Sequence, residues 1–143
     1  MDYKVIQKKK GFSQVFLNLL TMPFIWAPFI PTMFVDLLSE IYVQICFPIY
    51  GLEKPKRSDF IMVLDRNKLQ YLSASEKLGC MYCGYMNGVY LYLKEISGQT
   101  ESYWCGIMHE KVAGRNFRPQ QHQVEQNFVE FGDEKSTKSR YGD

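Results

Sequence analysis

The chain has 143 residues, with 17 basic and 15 acidic side chains and a formal net charge of +2. That length is typical of one domain, and the absence of a dense basic patch with interleaved aromatic residues argues against dedicated nucleic-acid binding. The apolar residues are concentrated in the first third of the sequence. We therefore expect one folded unit with an apolar N-terminal region and a more polar remainder.

A basic N-terminal tail, residues 1–10, is followed by 25 residues, Gly11 to Val35, without a single charge. A straight helix of about 20 residues spans a bilayer. Three prolines interrupt this stretch, and each removes a backbone donor, so a break is expected. They are Pro23, Pro28 and Pro31. The sequence predicts a membrane-associated, Pro-broken helical hairpin over residues 11–52; core helices of a soluble protein or oligomer are the alternative.

The second half of this region has the pattern of an amphipathic helix of about four turns. Its apolar positions are Met33, Phe34, Leu37, Leu38, Ile41, Tyr42, Ile45 and Cys46. We expect the apolar face to lie along a membrane or to pack against a partner. On the opposite face, Asp36 and Glu40 are expected to pair with Lys or Arg from the second half of the chain, which would make them structural.

Basic residues flank the apolar region at both ends. Lys8 to Lys10 precede it, and Lys54, Lys56 and Arg57 follow it. Because Lys and Arg favour the cytoplasmic side of a membrane, both flanks are predicted to lie there. The predicted location is the cytoplasmic side of the inner membrane, in contact with the membrane surface or the inner leaflet.

After this region, residues 53–115 are predicted to form a compact helical module. Within it, the apolar run Phe60 to Leu64 is typical of an extended segment or edge strand. A helix that stops at Gly79 is predicted next. Its N-cap is Asp65, or alternatively Ser73, which with Glu76 has the spacing of a capping box. Residues 116–143 are predicted to be a polar surface segment with a disordered tail.

A second helix is predicted to start near Cys80. Gly84 and Gly88 form a small-xxx-small ridge on it, which allows another helix to approach closely. This face is a candidate contact for a protein partner or for a second copy of the chain.

The residues that point to chemistry are Cys80 and Cys83, then 21 residues, then Cys105 and His109. Three thiolates and one imidazole suit tetrahedral Zn²⁺. The four residues can meet only if the helix turns back, because an uninterrupted helix would separate the two halves by about 33 Å. Ser97-Gly98 is the best place for such a turn.

Other uses of the same side chains stay open. An iron–sulfur cluster is one alternative, and a redox dithiol formed by Cys80 and Cys83 is another. Cys105 and His109 are spaced as a nucleophile and a base, but no orienting group can be named, so an enzyme is the less favoured class. His122 is expected to be solvated, and Cys46 to pack against apolar neighbours.

Four segments together resemble a family of small uncharacterised bacterial membrane-associated proteins. They are residues 45–51 (ICFPIYG), residues 58–66 (SDFIMVLDR), residues 76–88 (EKLGCMYCGYMNG) and residues 100–109 (TESYWCGIMH). The resemblance covers most of residues 12–110 and implies the architecture and a Cys/His signature, without an activity. The chain departs from the family at Gly98, where the family has a helix-compatible residue, and at Gly106, where it tends to have Pro.

These observations predict a mainly α protein with a membrane-associated helical hairpin, a compact Cys/His module and a polar tail. The predicted function is that of a small zinc-binding structural or interaction protein at a membrane. A redox protein is the alternative.

Overall fold

A computed structural model describes residues 11–114 and 118–142, so the basic tail predicted at residues 1–10 lies outside the described part. The helices are α1 (Phe12–Trp26), α2 (Phe29–Tyr50), α3 (Arg57–Phe60), α4 (Ala74–Trp104), α5 (Gln121–Glu125) and α6 (Glu134–Tyr141). An isolated bridge between Ile107 and Val129 is the extended pairing within these ranges. The predicted mainly α class is confirmed. The chain divides after Val35 into two units.

The first unit contains α1 and the start of α2, which follow one another as a bent helix. The N–H of Ala27 donates to the carbonyl of Pro23 at 2.9 Å, and the N–H of Thr32 donates to Pro28 at 3.0 Å. Pro31 lies in the first turn of α2, where a backbone donor is not needed. The interruption therefore falls where the prolines predicted it. It is a bend in a helix, and the predicted hairpin reversal does not occur there.

In the second unit, α2 and α4 lie side by side and run in the same direction. Successive residues of α2 contact successive residues of α4: Asp36 meets Tyr85, Tyr42 meets Thr100, and Tyr50 stacks on Tyr103. The buried core between the helices consists of Val43, Phe47, Tyr92 and Ile96. Its burial supplies the apolar free energy that holds α2 and α4 together.

A sharp stop at Gly51 makes the parallel arrangement feasible. Gly51 has a φ of +69°. Its N–H donates to Pro48, and the N–H of Leu52 donates back to Phe47 at 2.9 Å. This is a Schellman motif, which satisfies the last carbonyls of α2 with a residue in the left-handed conformation. The chain then travels back along α4 before that helix begins.

The returning segment includes residues 61–63, which rest on the Gly84/Gly88 ridge. Ile61 has an extended backbone, whereas Phe60, the first residue of the predicted extended run Phe60 to Leu64, ends helix α3. A methyl group on Gly84 would overlap the carbonyl of Met62, and one on Gly88 would lie 2.7 Å from the Cα of Ile61. The ridge does permit a close approach. The prediction that another helix, a partner or a second copy uses this face is wrong, because the chain's own backbone covers it.

Helix α4 is one 31-residue helix, where the sequence predicted two shorter helices. It starts at the capping box of Ser73 and Glu76 that the sequence offered as an alternative; Asp65 precedes only the short 3₁₀ turn Arg66–Lys68. The helix continues through both glycines that were predicted to end it, Gly79 and Gly98.

The C-terminal region contains helices, although it was predicted to be a surface segment with a disordered tail. Buried Phe128 and Val129 anchor it, and Val129 exchanges backbone hydrogen bonds with Gly106 and Met108 at 2.7 Å. Helix α6 begins at an Asp133 cap and places Arg140 against the carbonyl of Asn127 at 2.6 Å. Few apolar residues suffice here because backbone and side-chain hydrogen bonds fasten the segment to the end of α4.

Candidate functional site

The predicted Cys/His ligands lie in two separate groups. Cys80 and Cys83 are one turn apart near the start of α4, whereas Cys105 and His109 follow its end. The predicted turn at Ser97-Gly98 is wrong, because α4 is helical throughout. From Cys83 to Trp104 the helix rises by about 32 Å, so one chain does not bring both groups to one point.

Within the described ranges, no group of three or more His, Cys, Asp and Glu side chains is placed to hold a metal ion. Cys83 and Cys105 are exposed, and Cys46 and Cys80 are half-buried. Zinc, or an iron–sulfur cluster, on Cys80, Cys83, Cys105 and His109 stays a prediction. A site that used both groups would have to take them from two chains.

A buried polar network connects the two halves of the second unit. Arg57 donates two hydrogen bonds to Asp36, each 2.5 Å long, and Tyr85 donates a third to the same carboxylate at 2.8 Å. Tyr92 donates to Glu40 at 3.2 Å. Arg57 Nη1 also lies 3.9 Å from Glu40 Oε2, so the expected pairing of Asp36 and Glu40 with a basic residue is confirmed. The partner directly follows the apolar region, whereas it was expected to come from the second half of the chain.

The network shifts the titration of its tyrosines. Burial, together with the Asp36 carboxylate, raises the pKa of Tyr85 to about 12. Burial and the neighbouring Glu40 likewise raise the pKa of Tyr92 to about 12. Both hydroxyls therefore remain protonated donors across the physiological range, so each can donate to its carboxylate, buried Asp36 or partly exposed Glu40.

A second polar cluster fastens α5 to α4. His122 Nε2 and Glu101 Oε2 are 2.6 Å apart, and the amide of Gln123 donates to the other oxygen of Glu101 at 2.8 Å. Gln123 is 1% exposed. The expectation that His122 is solvated is therefore wrong. Its ring packs over Gly98, where an added methyl group would lie 2.9 Å from Nδ1.

The signal that the sequence offered for this cluster was Gly98 itself. A glycine inside a helical pattern can mark a stop or a close neighbour. Here it makes room for an imidazole ring.

Beside the cluster lies an open, polar groove of about 270 Å³ between α4 and α5. Its polar walls are formed by Lys94, Glu95, Gln99, Gln121, His122, Glu125 and Gln126. Two of its carboxylates already accept hydrogen bonds from neighbouring amides, Glu95 from Gln99 at 2.9 Å and Glu125 from Gln121 at 2.7 Å. The acidic side chains of the groove therefore have partners within their own helices.

The most extensive unusual surface is apolar. In α1, large apolar side chains are exposed on all sides of the helix, and in the first turns of α2 they are exposed on every side except the one that carries buried Thr32. They are Phe12, Val15, Phe16, Leu17, Leu19, Leu20, Met22, Phe24, Ile25, Trp26, Ile30, Met33, Phe34 and Val35. From Asp36 onward only one face of α2 is apolar and exposed.

By length and composition, Val15–Tyr50 is a helix that could cross a membrane, and only 6% of its most apolar window is buried in the fold. An apolar helix with a core role in a soluble protein would be mostly covered. Together, the fold and this surface define a mainly helical protein with one exposed apolar helix. Comparison of the chain with family models, curated proteins and solved structures finds no match.

Proposed function

We propose that the protein is a membrane-anchored structural or interaction protein, in which residues 12–35 are immersed in lipid and the second unit is held at the membrane. The observation that carries this proposal is the exposure of large apolar side chains all round α1 and on every side of residues 30–35 except the one that carries Thr32. Water tolerates such a surface poorly, and a bilayer satisfies it on every side.

Length and backbone chemistry support the same proposal. Helix α1 extends about 22 Å, and residues 29–35 add about 10 Å beyond the bend, so both parts fit within the roughly 30 Å of a bilayer's hydrocarbon core. The backbone continues in helical hydrogen bonding through the bend, so few polar groups are left open to lipid. The first charge after Gly11 is Asp36, and Arg57 compensates it.

The second unit is proposed to lie on the cytoplasmic side. Lys8 to Lys10 precede the apolar stretch and Lys54, Lys56 and Arg57 follow it, and such residues at both ends are retained on that side. The resemblance to bacterial membrane-associated proteins is consistent with this assignment but names no partner, so the proposal is limited to anchoring and display of the helical module.

The decisive experiment compares two leucines of equal exposure. Leu20, in α1, and Leu78, in α4, are each 55% exposed. A lysine in the apolar part of a bilayer costs about 2.5–3.5 kcal/mol. Leu20→Lys should therefore lower the membrane-bound fraction strongly, whereas Leu78→Lys should leave it unchanged. The bound fraction is measured by sedimentation of expressed protein before and after carbonate extraction.

Recovery of the wild-type chain in the soluble fraction as an oligomer would contradict the proposal and favour helices buried between copies. An equal effect of the two lysines would contradict it as well. It would mean that the loss reflects misfolding.

A further inference from the structure

We propose that the outer face of α2 in the second unit is a lipid-contact surface, so that this part of α2 lies along the plane of the membrane. The outer face consists of Leu37, Leu38, Ile41, Ile45 and Ile49. This inference rests on the proposed membrane anchor and adds a second, separate contact with the bilayer.

The outer face is continuous and uniformly apolar. Its five side chains are between 48% and 73% exposed, and all of them are Leu or Ile. At 100° per residue they fall on one side of the helix, centred opposite Asp36, Val43 and Phe47. The face therefore extends along nearly four turns without a charged side chain.

The helix cannot rotate to hide this face. On the opposite side, Val43 and Phe47 are 1% and 0% exposed. The paired hydrogen bonds from Arg57 hold the Asp36 carboxylate on that same side. Turning the outer face inward would break the core and leave a buried carboxylate without its partner, which is strongly unfavourable.

Two features identify lipid as the occupant. First, the outer face continues the exposed apolar side chains of residues 30–35 on the same helix, after the bend that separates α2 from α1, so a bilayer that holds those residues also meets the outer face. Second, the side chain of Lys54 lies at the rim of the face, with its Nζ 2.6 Å from Oε1 of Gln44. A cation at the rim of an apolar face can reach the headgroups of an anionic membrane.

The test uses single tryptophans in the full-length chain, with Trp26→Phe and Trp104→Phe as the background. Three probes are compared in phosphatidylcholine vesicles that contain phosphatidylglycerol and brominated acyl chains: Phe24→Trp in the anchor, Ile45→Trp on the outer face and Leu78→Trp on α4. Bromine quenches only a tryptophan that reaches the acyl region. We expect quenching of the first two probes and none of the third.

The outcomes separate this inference from the proposed anchor. Quenching at position 24 without quenching at position 45 would overturn the outer-face contact and leave the anchor intact. A blue-shifted but unquenched probe at position 45 would assign the face to a second copy or another protein, which also overturns the inference. Absence of quenching at position 24 would contradict the anchor itself.

Discussion

Single glycines decide how closely the chain can pack in this protein. Gly88 lies under the backbone of the returning segment, where an added methyl group would be 2.8 Å from the carbonyl oxygen of Phe60. Gly79 is in the same helix with nothing within 4 Å of that position. The same substitution therefore has opposite consequences at two positions of α4.

Gly79→Ala should stabilise the protein by about 0.5–1 kcal/mol, because alanine loses less backbone entropy in a helix. Gly88→Ala has the same entropic benefit, but its methyl group must displace the backbone of the returning segment, which costs about 1–3 kcal/mol. A net loss of stability is therefore expected. Urea unfolding followed by circular dichroism measures both values. Equal stabilisation by the two alanines would show that the returning segment does not rest on α4.

Sequence reasoning recognised the special role of Gly84 and Gly88 but assigned the wrong neighbour. A glycine ridge indicates that something approaches closely, and it carries no information about whether the neighbour is a helix or an extended strand of the same chain. Gly98 was predicted wrongly for a related reason. A glycine that ends a helix and a glycine that makes room for a neighbouring side chain look the same in the sequence. Ser73 and Glu76, whose interactions lie within one turn, were offered correctly as a capping box.

At the scale of elements, the interface between α2 and α4 has a polar half and an apolar half. Arg57 bridges them, since its guanidinium binds Asp36 and lies 5.6 Å from the centre of the Tyr92 ring. Tyr92 contributes its ring to the core and its hydroxyl to Glu40. The interface therefore depends on a hydroxyl that stays protonated.

Alkaline pH should weaken this interface. Tyr85 and Tyr92 have a pKa of about 12 in the folded protein, against the ordinary tyrosine pKa of 10.0. Between those values the unfolded chain releases protons that the folded protein retains, so stability is fully present below pH 10 and falls as the pH rises toward 12. Thermal unfolding in detergent at several pH values measures the loss.

Tyr92→Phe provides the control for the alkaline loss. Because phenylalanine has no titrating hydroxyl, this variant should lose less stability than the wild type between pH 10 and 12. If the variant lost as much stability per pH unit as the wild type, the alkaline loss would not come from ionisation of Tyr92.

The periodicity of α2 was predictable because it repeats within the helix itself. The sequence placed Asp36 and Glu40 opposite the apolar positions, and it predicted their pairing with a basic residue. It did not predict the direction in which α4 runs beside α2. That direction depends on the Schellman turn at Gly51 and on the packing of a returning segment, which are properties of the assembled unit.

At the scale of the whole molecule, the distance between the two Cys/His groups governs metal binding. In a monomer, one equivalent of zinc should protect no more than the Cys80/Cys83 pair from a thiol reagent, because Cys105 lies more than about 30 Å along the helix from Cys83. Exposed Cys83 and Cys105 should react first in the absence of zinc, and half-buried Cys46 and Cys80 more slowly. Titration with a chromogenic disulfide measures both.

The matched variant for this titration is Cys105→Ser. If each chain acts alone, it should remove one fast-reacting thiol and leave zinc protection of the pair unaltered. Loss of that protection in the variant, together with zinc-dependent dimerisation of the wild type, would instead show a site shared between two chains.

The placement of the partners of α2 has a consequence for the order of synthesis. The partners of Asp36 follow it in the sequence by 21 residues for Arg57 and by 49 residues for Tyr85. Tyr92, the partner of Glu40, follows it by 52 residues. A ribosome therefore finishes the apolar helix well before it makes the side chains that neutralise its acidic stripe. A nascent chain that entered lipid at that moment would carry two unmatched carboxylates to the bilayer surface, so the final position of α2 can be fixed only after α4 has been translated.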